Sequence, residues 1–280
     1  MNDHKIFCMC LHNHHLQNLK KLKYVPVGLG ENNFSDEWIK DNTKINISHK
    51  NKYYGEYTFY YWFWKNILSK TSDSAWIGFT GYRYHWSQKD DLKSEQITKI
   101  INENNFENYI LKKIPDEWNS YQVILGEKIS VNDWKLSKIL KNGKKKFFLN
   151  PSYFIKKNQN IKLHFDVFHG DGYLDKAISV LDPVERKDFK DFVEKEYSFN
   201  RENLFFCRSH KLLESYFSSI FNWLKACEEF FGFNLEGYGK TRIYAFLAER
   251  YLSYWFKKYS KTLSWPIFFF DTNKNKIQIK

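Results

Sequence analysis

The sequence predicts an α/β protein with a mostly parallel central sheet, on two observations. Short apolar runs of strand length, such as KIFCMCL at 5–11 and AWIGFT at 75–80, lie between longer segments of helical character. Continuous apolar runs are typical of strands that are buried on both faces of a parallel sheet. Long amphipathic segments occupy 211–231 and 244–259, so we expect a helical C-terminal part.

The remaining elements follow from the same patterns. We expect one domain over residues 1–280, in which 1–150 bind a ligand through the sheet and 151–280 form the second side of the site. The first run, at 5–11, and the run at 75–80 are the first and third strands in this scheme. Further strands are expected at 24–29, 121–129, 204–207 and 267–270, and further helices at 54–68, 90–107 and 175–181.

Composition narrows the function classes. Aromatic residues make up 20% of the 280 residues, which predicts an aromatic core with some Tyr and Trp at a binding surface. The net charge of +12 favours polyanions, namely nucleic acid, anionic lipid or nucleotide-linked ligands. No apolar run reaches the length of a membrane-spanning helix. The four cysteines fit no disulfide framework, so we expect a reducing, cytoplasmic setting.

A cationic and aromatic cluster follows the strand predicted at 75–80. It comprises Tyr82, Arg83, Tyr84 and His85. Ligands of open α/β sheets bind in the crevice outside the carboxyl ends of the strands. Arginine offers a planar fork of donors with a permanent charge, which suits a phosphate or diphosphate. The alternative is an ordinary solvated arginine at a strand end.

The first strand also ends in polar residues. Cys8, Cys10 and His12 alternate, so they share one face of the strand, and His14 and His15 follow. These five side chains form a metal cluster on one interpretation, although zinc ligands usually have a turn between paired positions. The interpretation we favour is a strand whose carboxyl end carries His12 into the crevice.

Two polar segments complete the set of candidates. The segment at 31–51 is long for a connection, and long polar loops are often functional. The segment KLHFDVFHGDGY at 162–173 contains Asp166, His169 and Asp171 beside two glycines, which let a backbone approach a ligand closely. Asp171 is either a general base or a turn-forming aspartate.

Several stretches resemble a bacterial family of capsular polysaccharide synthesis proteins. These are nucleotide-sugar glycosyltransferases that include galactofuranosyltransferases. The stretches are YVPVGLG, DNTKINISHKNKYYGEYTFYYWFWKN, WIGFTGYRYHW and RIYAFLAERYLSYWF. The chain departs from the family pattern at Gly81, where histidine is more frequent, and at Tyr84, where a second arginine is frequent. The resemblance implies a GT-A-like fold and transfer of galactofuranose or a related hexose or amino sugar to a capsular or cell-surface glycan. It also implies that residues 1–150 form the nucleotide-sugar-binding half of the domain and residues 151–280 the acceptor-side, C-terminal helical half.

The resemblance, taken with the patterns above, assigns roles to particular residues. No acidic pair follows the strand at 75–80, so we expect Arg83 to stabilise the donor diphosphate without a metal, with Mn²⁺ or Mg²⁺ as the alternative. Asp171 is the expected catalytic base and Glu56 a further catalytic candidate. The acceptor-binding candidates are His169 and Asp166. The donor-binding candidates are His12, Asn46, Lys65, Tyr82, Arg83, His85, Arg242 and Arg250.

The expected partners are a UDP-linked sugar donor and a glycan or lipid-linked acceptor. Basic segments at 144–146 and 257–261, the latter near Trp255, Phe256 and Trp265, suggest peripheral contact with an anionic inner membrane. Two other classes stay open. A single-strand nucleic-acid binder would share the charge and the aromatic residues but lacks a recognisable signature, and a non-catalytic scaffold of a glycan assembly complex would share the resemblance.

Overall fold

The computed structural model describes residues 4–72, 75–132, 148 and 151–271. Strands and helices mix in the first half of the chain, and helices dominate the second. The strands are β1 (His4–Cys10), β2 (Val25–Gly28), β3 (Ile39–Lys40), β4 (Trp76–Gly81), β5 (Tyr84–Trp86), β6 (Val123–Gly126), β7 (Lys128–Ser130), β8 (Ser198–Asn200), β9 (Phe205–Cys207), β10 (Thr262–Trp265) and β11 (Ile267–Phe269).

The three longest of the described helices lie after residue 160. The α-helices are α1 (Leu16–Lys21), α2 (Asn51–Tyr54), α3 (Tyr57–Asn66), α4 (Ser94–Ile100), α5 (Ile161–His169), α6 (Tyr173–Ser179), α7 (Pro183–Lys195), α8 (His210–Phe231), α9 (Tyr238–Thr241) and α10 (Ile243–Tyr259). Three of the longer ones begin at a polar residue whose side chain accepts from a main-chain amide of the first turn, which satisfies a donor that has no helical partner. These capping residues are Asn160, Asp182 and Ser209.

A seven-stranded sheet has the order β10-β6-β9-β4-β1-β2-β3. All of its neighbouring strands pair in parallel except at β9, which is antiparallel to both β4 and β6. The predicted fold class, an α/β fold with a mostly parallel central sheet flanked by helices, is therefore confirmed. Strands β9 and β10 come from the second half of the chain, so both predicted halves contribute to one sheet. Two antiparallel ribbons, β5–β11 and β7–β8, flank it.

Aromatic side chains fill both faces of the sheet. On one face Phe79 of β4 packs against Phe63 of α3, with ring centroids 5.4 Å apart. On the other face Trp118 contacts Phe206 of β9 at 5.0 Å. A methyl group on Gly78 would lie 2.1 Å from the Phe206 ring, so glycine is needed for this close approach. Most of the aromatic residues are thus core residues.

The helix expected at 54–68 is divided at Gly55. This residue has φ +57°, which the left-handed region allows glycine without steric cost, and it separates α2 from α3. A Cβ at this position would lie 2.5 Å from Nη2 of Arg242. The break therefore lets Arg242 reach the first turn of α3, where Glu56 lies.

Other boundaries differ from the sequence-based expectations. Most of the polar segment at 162–173 is helical, because α5 begins after its capping residue Asn160 and ends at His169, before Gly170 and Gly172. The helix expected at 90–107 is limited to α4, and the strand expected at 121–129 is divided between β6 and β7. The basic run at 144–146 lies outside the described residues.

Candidate functional site

The sheet has a topological switch point between β1 and β4. From β1 the chain proceeds to β2 and β3 on one side, and β4 lies on the other side of β1. In open α/β sheets this reversal leaves a crevice at the carboxyl ends of the two strands. The residues that follow β1 and β4 therefore line the position where the fold most readily accepts a ligand.

Arg83 lies at this switch point with two of its predicted neighbours. The amide of Tyr82 donates to the carbonyl of Met9 (3.2 Å), which joins the end of β4 to the end of β1. The Arg83 guanidinium lies over the Tyr82 ring at 5.0 Å, and the His12 ring is 6.4 Å from that ring. Among the described residues no carboxylate lies within 4.0 Å of Arg83. Within this described part of the chain Arg83 therefore forms no direct ion pair, although the Asp271 carboxylate acts on the same neighbours, His15 and Tyr82.

Three histidines follow β1 and pack on one another. The rings of His12 and His14 stack with centroids 5.5 Å apart, and those of His14 and His15 are 4.2 Å apart. Burial and the neighbouring His14 lower the pKa of His15 to about 4, so His15 is neutral near pH 7. Cys8 and Cys10 are buried below them. Within the described ranges no group of three or more His, Cys, Asp or Glu side chains is arranged to hold a metal ion.

A second corner of the crevice contains Glu56, at the start of α3. Its Oε1 accepts from Nδ2 of Asn203 (2.6 Å), and its Oε2 lies 3.5 Å from Nη2 of Arg242. Burial raises the pKa of the Glu56 carboxyl, against the opposing effect of Arg242. The side chain still retains 19% of its exposure. Glu56 is thus a carboxylate with a raised pKa that solvent-borne groups can reach.

Glu249 of α10 lies beside Glu56. Its Oε1 accepts from the amide of Glu202 (2.7 Å) and its Oε2 from Nη1 of Arg250 (2.6 Å). Burial raises the pKa of Glu249 to about 7, with the Glu202 and Glu56 carboxylates adding to the effect of burial. Tyr84 hydrogen-bonds to Glu202 and follows Arg83 directly. Glu202 and Tyr84 therefore link the carboxylate corner to the residue that follows Arg83.

The turn between β8 and β9 holds the carboxylate corner together. Glu202 and Asn203 have φ +72° and +53°, a region that side-chain-bearing residues rarely adopt. Besides donating to Glu56, Asn203 accepts two hydrogen bonds. Its carbonyl oxygen accepts from the Tyr60 hydroxyl (2.7 Å), and its Oδ1 accepts from the Tyr57 hydroxyl (3.3 Å). Backbone strain of this kind is maintained only where the surroundings enforce it, and it is enriched at functional sites.

Substitution of Asn203 should reveal how much its buried hydrogen bonds and its left-handed backbone each contribute to stability. We expect Asn203→Ala to lower the free energy of unfolding by about 2–3 kcal/mol, because it removes buried hydrogen bonds and leaves a Cβ in the left-handed region. Asn203→Gly removes the same side chain, but glycine adopts the left-handed backbone without strain. This variant should therefore be about 1 kcal/mol more stable than Asn203→Ala. Urea denaturation followed by fluorescence measures both. An alanine variant as stable as the wild type would contradict this account of the turn.

A buried network supports the start of α3 from the other side. Asp41 accepts from the amide of Gly30 (2.8 Å) and from the hydroxyl of Thr58 (2.5 Å). Asn51 donates to the same hydroxyl (3.0 Å) and to the carbonyl of Gly55 (2.9 Å). Part of the long polar segment therefore positions the first turn of α3 and, with it, Glu56.

Asp41 should make stability depend on pH. Burial raises its pKa from 3.8 to about 6, so the folded state favours the protonated carboxyl. The stability due to this group is present below about pH 4 and is lost as pH rises through about 6, which amounts to about 2–3 kcal/mol. The side chain of the Asp41→Asn variant would keep an acceptor for the Gly30 amide and would donate to the Thr58 hydroxyl, which can itself donate to the Gly55 carbonyl (3.1 Å), and it would not titrate. We expect this variant to gain stability relative to the wild type between about pH 4 and 7, as measured by urea denaturation at each pH. A constant difference would contradict the assignment.

The structure brings together five of the residues predicted from sequence. His12, Tyr82 and Arg83 meet at the switch point, and Glu56 and Arg242 meet at the start of α3. Both groups lie along the carboxyl-end edge of the sheet, as the placement of strand ends predicts.

Other predicted donor-binding residues lie elsewhere. His85 is buried, hydrogen-bonds through Nε2 to the carbonyl of Phe270 (3.1 Å) and is neutral, because burial lowers its pKa to about 4. Asn46 accepts from Ser48 and orders its own loop. Lys65 lies over the Trp64 ring (3.2 Å) at the opposite end of α3 from Glu56, about 14 Å along the helix.

Arg250 is a buried supporting residue rather than a surface cation. Its guanidinium is enclosed by aromatic rings, with Phe199 at 4.4 Å, and it donates to His164 and to Nε2 of His169, both at 3.2 Å. It holds Glu249 in place, so the adjacent Glu249 and Arg250 form an ion pair within α10.

The predicted acceptor residues serve the packing of α5. Nδ1 of His169 lies 3.1 Å from the carbonyl of Gly239, and burial and Arg250 lower the pKa of His169 to about 2. Asp166 is buried, pairs with Lys162 (3.2 Å) and accepts from the amide of Gly172 (3.1 Å). Asp171 lies exposed on the turn between α5 and α6.

Sequence reasoning missed the contribution of Glu202 and Asn203. The local sequence provided only a weak indication of a tight turn, because Glu202 and Asn203 precede the apolar run LFFC and no glycine accompanies them. Asparagine tolerates the left-handed region better than most residues, which was the available hint of a tight turn. Their approach to Glu56 depends on pairing across more than 140 positions of sequence.

The proposed lipid-facing aromatic residues are not at the surface. Trp255, Phe256 and Trp265 are buried in the core. Lys257 pairs with Glu196 (2.9 Å) and Lys258 with Asp188 (2.8 Å), so this basic segment is partly neutralised. In the part of the chain that is described, we find no helix of the length and apolar character that crossing a bilayer requires.

The fold is that of a known glycosyltransferase structure. The chain is similar to a structure described as the apo form of the WbbM bifunctional glycosyltransferase, with a TM-score of 0.64 and 17% sequence identity. The similarity covers 97% of this chain and 46% of that one, so the chain spans about half the length of the protein it matches. No curated protein matches the sequence.

The family is identified by sequence. Residues 5–261 match the family described as a domain of unknown function, DUF4422. The match includes both corners of the crevice. The chain therefore belongs to this family.

Proposed function

We propose that the chain is a glycosyltransferase that moves a sugar from a nucleoside diphosphate donor to a glycan acceptor. The observation that carries the proposal is an arginine without a carboxylate partner within 4.0 Å in the described structure, at the switch point of the sheet, on the same sheet edge as a carboxylate with a raised pKa. The likeness of the fold to a glycosyltransferase supports the same reaction class.

The chemistry explains why both corners are needed. When the bond between the anomeric carbon and the diphosphate oxygen breaks, the electron pair stays on the leaving oxygen. A fixed cation there stabilises the transition state more than the ground state. Arg83 supplies that charge, and Tyr82 holds its guanidinium through a cation–π contact (5.0 Å). His12 lies at the same edge as an additional contact to the donor.

The second half of the reaction is bond formation by the acceptor. Its hydroxyl oxygen attacks the anomeric carbon, and its proton passes to a carboxylate. Glu56 suits this role better than Glu249. Both oxygens of Glu249 accept short hydrogen bonds (2.7 and 2.6 Å), whereas Oε2 of Glu56 has Arg242 only at 3.5 Å. We therefore assign the base to Glu56 and regard Glu249 as a positioning residue. The exposed Asp171 is the alternative base.

The finer identity of the substrates rests on the sequence resemblance. On that basis we propose a UDP-linked donor of galactofuranose or a related hexose or amino sugar. The acceptor is a capsular or cell-surface glycan, free or lipid-linked, and the reaction takes place in the cytoplasm. We further propose that Arg83 replaces a metal at the diphosphate. A loss of turnover with EDTA that Mn²⁺ restores would contradict this last point.

One screen separates this function from its competitors. The full-length chain is incubated with UDP-, GDP-, dTDP- and CMP-linked sugars, and nucleotide release is followed with and without glycan acceptors. A transferase releases nucleotide from one donor type, and faster with an acceptor. A scaffold binds glycan without turnover, and a nucleic-acid binder instead retains single-stranded oligonucleotides in a filter-binding assay.

A further inference from the structure

A second cleft lies on the other side of Tyr84 and Glu202 from the carboxylate corner. It has a volume of about 690 Å³ and is bounded by α4, β7 and the ends of β6 and β11. This volume lies within the range of small-molecule sites. Tyr84 and Glu202 line the cleft, and the Glu202 amide also donates to Glu249 at the carboxylate corner, so the cleft adjoins that corner.

The charges in this cleft are unbalanced. Lys99 pairs with Glu95 (2.9 Å), and Glu127 accepts from the amide of Ser94 (2.7 Å). Three further cations line the cleft. Among the described residues, Lys93 and Lys128 have no carboxylate within 4.0 Å, and Arg201 has Glu202 only at 4.0 Å. Four cations against three carboxylates leave the cleft with a net charge of +1, and this positive excess around a concave space favours an anionic ligand.

Aromatic rings form part of the wall on the side of the reaction centre. The rings of Tyr84 and Phe269 are 5.4 Å apart and both line the cleft. Such rings offer an apolar face to a sugar ring, and the Tyr84 hydroxyl keeps a polar tip bound to Glu202. The wall therefore suits a carbohydrate, and the three cations suit a negative group that this carbohydrate carries.

We infer that this cleft binds the acceptor, and that the acceptor is an anionic glycan bearing a carboxylate or a phosphate. The inference rests on the proposed function and specifies its substrate class. The acceptor sugar stacks at Tyr84 and Phe269, its hydroxyl points to the crevice that contains Glu56, and its anionic group lies among Lys93, Lys128 and Arg201. Transfer then extends an acidic chain.

The test uses three disaccharides of one size. Cellobiose, cellobiouronic acid and cellobiose 6′-phosphate are titrated into the full-length protein by calorimetry at low salt. We expect at least one acidic disaccharide to bind about tenfold or more tightly than cellobiose, with the preference weakening as salt is added. Comparison of the affinities for cellobiouronic acid and cellobiose 6′-phosphate shows whether the cleft prefers a carboxylate or a phosphate.

Matched variants locate the site. The double variant Lys93→Gln/Lys128→Gln should lose the preference for the acidic disaccharides, while Lys99→Gln should retain it, because Lys99 is already paired with Glu95. No preference in the wild type, or a preference that survives the double substitution, would overturn the inference. Tighter binding of a single-stranded oligonucleotide than of the acidic disaccharides would overturn it as well.

A parallel titration with UDP keeps this test separate from the proposed function. The double substitution should leave the affinity for UDP unchanged, because both lysines lie away from the switch point. If UDP binds and acidic disaccharides do not, the cleft inference fails and the transferase proposal stands. If acidic disaccharides bind and no nucleoside diphosphate does, the transferase proposal fails and the cleft remains a binding site for acidic glycans.

Discussion

Replacement of Arg83 with alanine is expected to lower kcat/KM for the sugar nucleotide by about 10²–10³-fold. The loss is large because the guanidinium is the charge available at the switch point, and because charge on the leaving diphosphate grows in the transition state. Arg83→Lys keeps the charge but loses the planar fork, so it should fall between the wild type and the alanine variant. Initial rates of nucleotide release measure all three.

Arg208 provides the control for this experiment. It follows β9, whose direction is antiparallel, so it lies at the opposite edge of the sheet, and it donates to the carbonyl of Asn119 (2.9 Å). Arg208→Gln removes one positive charge from the same protein and should leave kcat/KM within about twofold. Equal losses in the two variants would mean that net charge, and not a site at Arg83, governs donor turnover.

Substitution of Glu56 with glutamine should lower kcat by about 10²–10³-fold, with little change in KM for the donor. Glutamine can still accept from Asn203 but cannot take a proton from the acceptor. The base must be ionised to act, and burial raises the pKa of Glu56 above its usual 4.5. Activity of the wild type should therefore fall as pH decreases through a value above 4.5, and this acidic limb should be absent from the residual activity of the variant.

Two further variants decide between the carboxylates. Glu249→Gln should cost about tenfold, because Glu249 positions Glu202 and Arg250 rather than the acceptor. Asp171→Asn should have little effect, because Asp171 lies on an exposed turn. If Asp171→Asn abolishes turnover while Glu56→Gln retains it, the base is Asp171, as the glycine-flanked motif alone suggests.

Sequence pattern identified five of the seven strands of the central sheet and only part of the site; it missed β3 and β10. Apolar runs such as those of β1 and β4 identify buried strands, and strand ends identify the edge at which His12, Tyr82 and Arg83 lie. The local sequence pattern does not show in which direction a later strand or helix joins the sheet. The position of Asn203 next to Glu56 results from the antiparallel insertion of β9, which no local pattern encodes.

Charged side chains were the least predictable part. Arginine and histidine are residue types that often bind ligands. Packing nevertheless encloses Arg250 and His169 among aromatic rings, where they hold α5 against α10. Lys65 follows a strongly apolar segment but lies at the wrong end of α3. A residue type indicates what chemistry is possible, while only the tertiary packing decides whether a ligand can reach it.

The central claim is that the switch point binds a nucleoside diphosphate through Arg83. Its most direct test is a calorimetric titration of the full-length protein with UDP, comparing the wild type, Arg83→Ala and Arg208→Gln. We predict that UDP binds to the wild type and to Arg208→Gln with the same affinity, and about tenfold or more weakly to Arg83→Ala. Equal affinity of UDP for the wild type and Arg83→Ala, or no binding of UDP or any other nucleoside diphosphate to the wild type, would contradict the claim.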